Sequence, residues 1–165
     1  MQHNITVMSR GAAIEMSNTE LDHDTVIVSI TGFGGEFPEF ADNPHIVGVC
    51  YVQFDDEEQG INAMTDDNAR EILNFISEWA SEDVDIVVHC SAGISRSAGV
   101  GAALMLILNG DDSDVFGSGK YAPNMNCYRK MLSAAGLGYS DEYFDKKEDD
   151  QYQLWLELAM ENGLI

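Results

Sequence analysis

Cys90 and Arg96 are the residues of this chain whose types and spacing can do chemistry. Between them lie Ser91, Ala92, Gly93, Ile94 and Ser95, and Ser97 follows. A cysteine attacks only as its thiolate, and a helix N-terminus or a nearby cation favours that form. Cys90 has both within reach: the start of a helix read from Ser95 and the guanidinium of Arg96. Four of the five intervening residues are Ser, Ala or Gly, so the loop can curl with successive backbone N–H groups facing inward. Gly93 supplies the unusual backbone angle such a curl needs. Arg96 can then grip two equatorial phosphate oxygens with its planar fork and follow their charge into the transition state. Ser97 is placed to hydrogen-bond the departing sulfur, and His89 to buttress the loop from beneath. The chemistry these residues suit is cleavage of a phosphate monoester through cysteine.

Such a loop must be held by a strand before it and a helix after it. Val84 to His89 is a short, almost continuously apolar run, as expected of a central parallel strand. Ser95 to Leu108 reads as a helix apolar nearly all round, stopped by Asn109 and Gly110. Thr25 to Thr31 and Ile46 to Phe54 read as further strands, and Ile5 to Met8 as a short first one. A helix capped by Thr65, Asp66 and Asp67 runs to about Ala80. Pro123 to Ala135 reads as helical. So does Tyr152 to Met160, with residues 140–151 as a surface connection or the first turn of that last helix. Strands alternating with helices predict an α/β fold, a central, mostly parallel sheet flanked by helices. Residues 1–165 are read as one domain, with no internal repeat or linker.

The formal net charge is −21, from 29 acidic and 8 basic residues. That surface argues against nucleic-acid and anionic-membrane partners, whose binding rests on Lys and Arg meeting phosphates. A basic partner or a simple solubility adaptation both fit it. No apolar run is long enough to cross a membrane, and the start lacks a secretory leader pattern. The cysteines are Cys50, Cys90 and Cys127, an odd number without close pairs, which fits a reducing cytosol and a cytoplasmic location. No metal-ligand spacing and no cofactor motif is present. His3, His23 and His45 read as surface or loop histidines. Asp111, Asp112 and Asp114 read as an acidic surface turn, and Trp79, Trp155 and the methionines as core packing.

The stretch His89-Cys90-Ser91-Ala92-Gly93-Ile94-Ser95-Arg96-Ser97 resembles the His-Cys-x5-Arg-Ser signature of the cysteine-dependent protein tyrosine phosphatases. It looks most like their compact dual-specificity and prokaryote or phage-type branch, and the resemblance spans residues 25 to 135. It implies a tyrosine phosphatase-like fold and a two-step reaction: thiolate attack giving a cysteinyl-phosphate, then hydrolysis. The implied substrate is a phosphorylated protein or small phosphomonoester, with phosphotyrosine, phosphoserine and phosphothreonine all open. Members of the family take a proton donor from a mobile loop roughly 30–40 residues before the cysteine. Asp56 fits that position, with Asp55 next in order and Gly60 as a pivot; a merely solvated acidic turn is the alternative for either carboxylate. Tyr121 to Leu132 resembles a Pro-Asn segment of the dual-specificity enzymes in Pro123, Asn124, Tyr128 and Leu132, but Lys130 and Met131 depart from it. Asn124 either supports the catalytic loop or caps a helix.

Some relatives protect their cysteine with a disulfide, for which Cys50 is the candidate; a core cysteine is the plainer reading. The absence of lysine between Cys90 and Arg96 argues against a strongly anionic phosphoinositide substrate. Two other functions fit a cysteine loop: a phosphate-binding pseudophosphatase without turnover, and an arsenate reductase or rhodanese-like enzyme. Intact Cys90 and Arg96 weigh against the first, and the central place of the loop, with His89 and Ser97 beside it, against the second.

Overall fold

The β-branched runs pair side by side in a computed structural model of residues 1–165. The strands are β1 (Ile5–Ser9), β2 (Thr25–Thr31), β3 (Ile46–Gln53) and β4 (Asp85–Cys90). They form one sheet in the order β1-β4-β2-β3, and every pairing is parallel. The interior strands β2 and β4 are the most apolar because both of their faces are covered.

Side chains alternate across this sheet. Ile5, Val7, Val28, Ile30, Val52, Val88 and Cys90 join one apolar cluster with helices α2 (Asp66–Trp79), α3 (Arg96–Asn109) and α5 (Met125–Ala134). Ile27, Ser29, Val87 and His89 alternate with them on the other face, and Phe40 packs its ring edge-on to His89. Helix α1 (Arg10–Ser17) lies against β1 and β4. The short α4 (Ser113–Phe116) and the long α6 (Asp141–Glu161) complete the chain. No helix is long and apolar enough to cross a membrane.

Local chemistry sets the helix starts. Thr65 Oγ1 accepts from the Asn68 N–H and Asn68 Oδ1 accepts from the Thr65 N–H, a reciprocal cap on α2. Asp66 and Asp67, expected as caps, instead occupy the first turn, where their charge suits the helix dipole. Helix α3 begins at Arg96, one residue later than its sequence pattern suggests, and Gly110 ends it at φ +75°. Gly99 in α3 has no room for a side chain: a Cβ there would stand 2.4 Å from the Asn124 carbonyl oxygen. That close approach seats the start of α5 on α3.

Several expectations are corrected. Helix α6 starts at Asp141, so residues 141–151 are helical, with Ser140 as the cap and Phe144 buried. Helix α5 starts at Met125 with Asn124 as its cap, two residues after Pro123. His3 is buried, because its ring nitrogens reach the carbonyl oxygens of Val84 and Ala80. Asp112 is also buried: it accepts from the Tyr128 hydroxyl at 2.6 Å and is paired with Lys147 at 2.7 Å. Burial is sustainable there because the charge is compensated. Trp155, expected in the core, is 51 % exposed. Cys50 is buried level with Val88, across the intervening strand β2. Two strand spacings are about 10 Å, too far for a disulfide with β4.

Candidate active site

Strand β4 ends at Cys90, the loop 91–95 turns, and α3 starts at Arg96. This puts the sulfur at the foot of the loop and the first helical N–H groups at its rim. The loop is wedged from behind by the end of β1. Gly93 has φ +72°, and a Cβ on it would lie 2.4 Å from the Met8 carbonyl carbon and 2.5 Å from the Ser9 nitrogen. The Arg10 N–H donates to the Ser91 carbonyl at 3.2 Å. On the other side, the Ala122 N–H donates to the Ile94 carbonyl and the Asn124 N–H to the Ser95 carbonyl, both at 3.0 Å. The cradle is therefore clamped between β1 and the approach to α5.

Cys90 is 2 % exposed, and its Sγ lies 3.0 Å from Ser97 Oγ. Burial pushes the thiol pKa up, but hydrogen bonds from the Ser97 hydroxyl and the backbone at Ser97 and Gly93, with the Arg96 charge, outweigh it. The net direction is down, toward the thiolate. The other two thiols go the opposite way: burial pushes Cys50 up to about 11 and raises Cys127 further. Only the cysteine at the loop is electrostatically prepared.

Arg96 is buried, with Nη1 donating to the Phe54 carbonyl at 3.0 Å and Nη2 to Ser91 Oγ at 3.2 Å. Its Nε is buried without a partner. A desolvated guanidinium with an open donor above a ring of small residues is suited to an anion. His89 supports the floor: its Nε2 meets Ser29 Oγ at 2.6 Å and its Nδ1 the Cys90 carbonyl at 3.2 Å. Because the carbonyl can only accept, Nδ1 carries the proton and the Ser29 hydroxyl donates to Nε2. Burial lowers the His89 pKa, with Arg10 and Arg96 adding to that, against the bond to Cys90.

The two candidate acids sit differently. Asp56 Oδ1 accepts from the Ser95 hydroxyl at 2.7 Å and from Asn124 Nδ2 at 2.9 Å, which ties it to the cradle. Asp55 Oδ1 accepts from the Phe33 N–H at 2.9 Å and faces Gly32, so it fastens the loop after β2. Asn124 does both things considered for it: Oδ1 caps α5 through the Cys127 N–H, while Nδ2 holds Asp56 and the Glu57 carbonyl. Ala92 and Ile94 complete the loop; Ala92 faces solvent and Ile94 is half-exposed. Sequence reading missed the contributions of Met8 and Ser9, whose backbone wedges the loop, of Arg10, whose N–H holds Ser91 and whose charge acts on His89, and of the Phe54 carbonyl. No group of three or more His, Cys, Asp or Glu side chains is arranged to hold a metal ion.

No family model and no curated protein matches the sequence. Solved structures do match the fold. The human tyrosine phosphatase-like serine/threonine/tyrosine-interacting protein superposes with a TM-score of 0.61 at 17 % identity, over 81 % of this chain and 92 % of that one. DUSP15 superposes with a TM-score of 0.57 at 19 % identity, over 90 % of this chain and 92 % of that one. At such identity the likeness is one of fold. The chain has the α/β fold of the cysteine-dependent protein tyrosine phosphatases, in the form seen in dual-specificity phosphatases.

Proposed function

We propose that this protein hydrolyses phosphomonoesters, phosphotyrosine in proteins first and phosphoserine and phosphothreonine with it, through a cysteinyl-phosphate. The observation that carries this reading is the pairing of one prepared thiol with one buried, under-bonded guanidinium across the 91–95 loop. In the first step Cys90 Sγ forms a bond to phosphorus as the ester P–O bond breaks. Asp56, protonated on the Oδ2 that no other group occupies, gives its proton to the leaving oxygen. The loop N–H groups and Arg96 hold the three equatorial oxygens throughout. In the second step water attacks phosphorus, Asp56 takes the water's proton, and the S–P bond breaks. The sulfur leaves as a thiolate that the Ser97 hydroxyl stabilises, and orthophosphate departs.

A second reading, a phosphate-binding module without turnover, draws on one observation: Asp56 Oδ1 is held by two donors and is not free to swing. One experiment separates the two. Purified protein is assayed on p-nitrophenyl phosphate between pH 5 and 7 beside Cys90→Ser. Turnover by the first and none by the second is expected. Absence of turnover with retained phosphopeptide binding selects the second reading, and turnover that survives Cys90→Ser refutes the first.

A further inference from the structure

A groove of about 500 Å³ runs from the cradle to the last helix. It starts at Asp56 and Ser95, passes Tyr121 and Asn124, and ends at Tyr152 and Trp155 on α6. Two features define it together. The first is an aromatic wall: Tyr152 and Trp155 are 59 % and 51 % exposed, and their rings stack at 6.4 Å with an interplanar angle of 18°. Large rings left in water on an amphipathic helix call for an occupant. The second is uncompensated negative charge. Glu58 and Glu148 line the same groove and neither is paired with a Lys or Arg; Glu58 accepts only a long bond from the Met125 N–H at 3.4 Å. The nearby lysines of α6 are committed elsewhere, Lys146 to Asp150 and Lys147 to Asp112. Gln151, which also lines the groove, spends a side-chain N–H on the Tyr121 carbonyl.

We propose that this groove receives a lysine or arginine side chain of the phosphorylated substrate, close in sequence to the phosphorylated residue. The aliphatic stem lies on the Tyr152 and Trp155 faces and the cationic head reaches Glu148 and Glu58. This rests on the phosphatase reading and adds a substrate preference to it. The chemistry of the groove asks for a cation with an apolar stem: aromatic faces attract it through the ring quadrupole, and carboxylates without a cationic partner complete the contact. A phosphate or carboxylate is refused by the same charges. Burial raises the Glu148 pKa, and repulsion by Glu58, Asp145 and Asp149 adds to it, so a cation entering the groove relieves a like-charge strain. The phosphate itself is held at the neighbouring cradle, which makes the site two-pronged: anion at Arg96, cation at Glu148.

The test uses phosphotyrosine peptides that are neutral but for one lysine walked through the three positions on either side. Both kcat/KM with the wild-type protein and binding to Cys90→Ser are measured. A lysine at one of these positions is expected to raise both by roughly tenfold over the neutral peptide. Glu148→Gln and Trp155→Ala are each expected to bring that preference to within about threefold while hydrolysis of p-nitrophenyl phosphate stays unchanged. Equal treatment of lysine and neutral peptides overturns the inference. So does a preference that persists in both groove variants, since the overall negative charge then explains it. Self-association that Trp155→Ala abolishes assigns the groove to a second copy and overturns it as well. Lysine-dependent binding without any turnover refutes the phosphatase reading and leaves the groove standing; turnover without lysine dependence does the reverse.

Discussion

Gly93→Ala tests how the cradle is held. A Cβ at this position meets two obstacles. The backbone sits at φ +72°, where an L side chain costs about 1–2 kcal/mol. The new methyl also stands 2.4 Å from the Met8 carbonyl carbon, 2.5 Å from the Ser9 nitrogen and 2.7 Å from the Met8 oxygen. These are backbone atoms of a strand hydrogen-bonded to β4, so no rotamer change relieves them. Overpacking of this kind costs about 1–3 kcal/mol, for a total of roughly 2–5 kcal/mol. In a chain of this length Tm is expected to fall by roughly 4–20 °C. The loop also has to lift off β1, and a displacement of about 1 Å at the reacting groups costs on the order of a hundredfold in kcat/KM. Gly136→Ala is the control: it has φ +80° but open space around its Cβ. It should lose only the backbone portion, about 1–2 kcal/mol, with activity intact. Thermal melts and aryl phosphate kinetics on both variants decide it. If Gly93→Ala melts no lower than Gly136→Ala and turns over at the wild-type rate, the wedge formed by Met8 and Ser9 is not what shapes the loop.

The remaining expectations concern protons. Asp56→Asn should lower kcat/KM on phenyl phosphate by roughly a hundredfold or more and much less on 2,4-dinitrophenyl phosphate, whose leaving group needs no proton. Asp55→Asn should show no such dependence on the leaving group; the opposite pattern exchanges their roles. Ser97→Ala removes a hydrogen bond that favours the thiolate, so the onset of Cys90 alkylation by iodoacetamide should move to higher pH, and an unmoved profile refutes the 3.0 Å contact as its cause. His89 has its pKa depressed by burial, so it is neutral in the fold while the unfolded chain takes up a proton near pH 6.5. Its contribution to stability is whole above that pH and is lost as pH falls below it. The drop in urea midpoint from pH 7.5 to 5.5 should therefore shrink in His89→Gln.

Strands β2 to β4 and helices α2 and α3 were legible because each carries a periodic apolar pattern or a β-branched run bounded by turn residues. The cradle was legible because its spacing is local: strand, loop and helix follow one another within a dozen residues. What was hidden depends on contacts distant in sequence. Helix α1 offers only Arg-Gly-Ala-Ala-Ile-Glu-Met-Ser, too short and too weakly amphipathic to stand out, and is fixed by the Ser9 cap and by packing on β1 and β4. The first half of α6 is dense in charge, and the pairing of Lys147 with a buried Asp112 has no signature in spacing. The choice between Asp55 and Asp56 turns on where two adjacent side chains point, which no pattern of residue types encodes. Trp155 was misread because a tryptophan on an amphipathic helix ordinarily faces inward.

The strand order β1-β4-β2-β3 has a consequence for synthesis. Strand β1 is made first, yet its only partner is β4, with Ile5 beside Ile86 and Ser9 beside Cys90. At ribosomal speeds of about 5–20 residues per second, β1 waits on the order of 4–16 s with both edges bare. Bare edges invite pairing between neighbouring nascent chains. The stretch up to Cys90 carries 18 acidic and 2 basic side chains, a formal charge of −16 when it is complete, which repels neighbouring copies by the end of that interval. The cradle, which needs β1, β4 and the clamp from Ala122 and Asn124, is complete only once residue 124 has been made, and no emerging fragment that lacks β4 carries it.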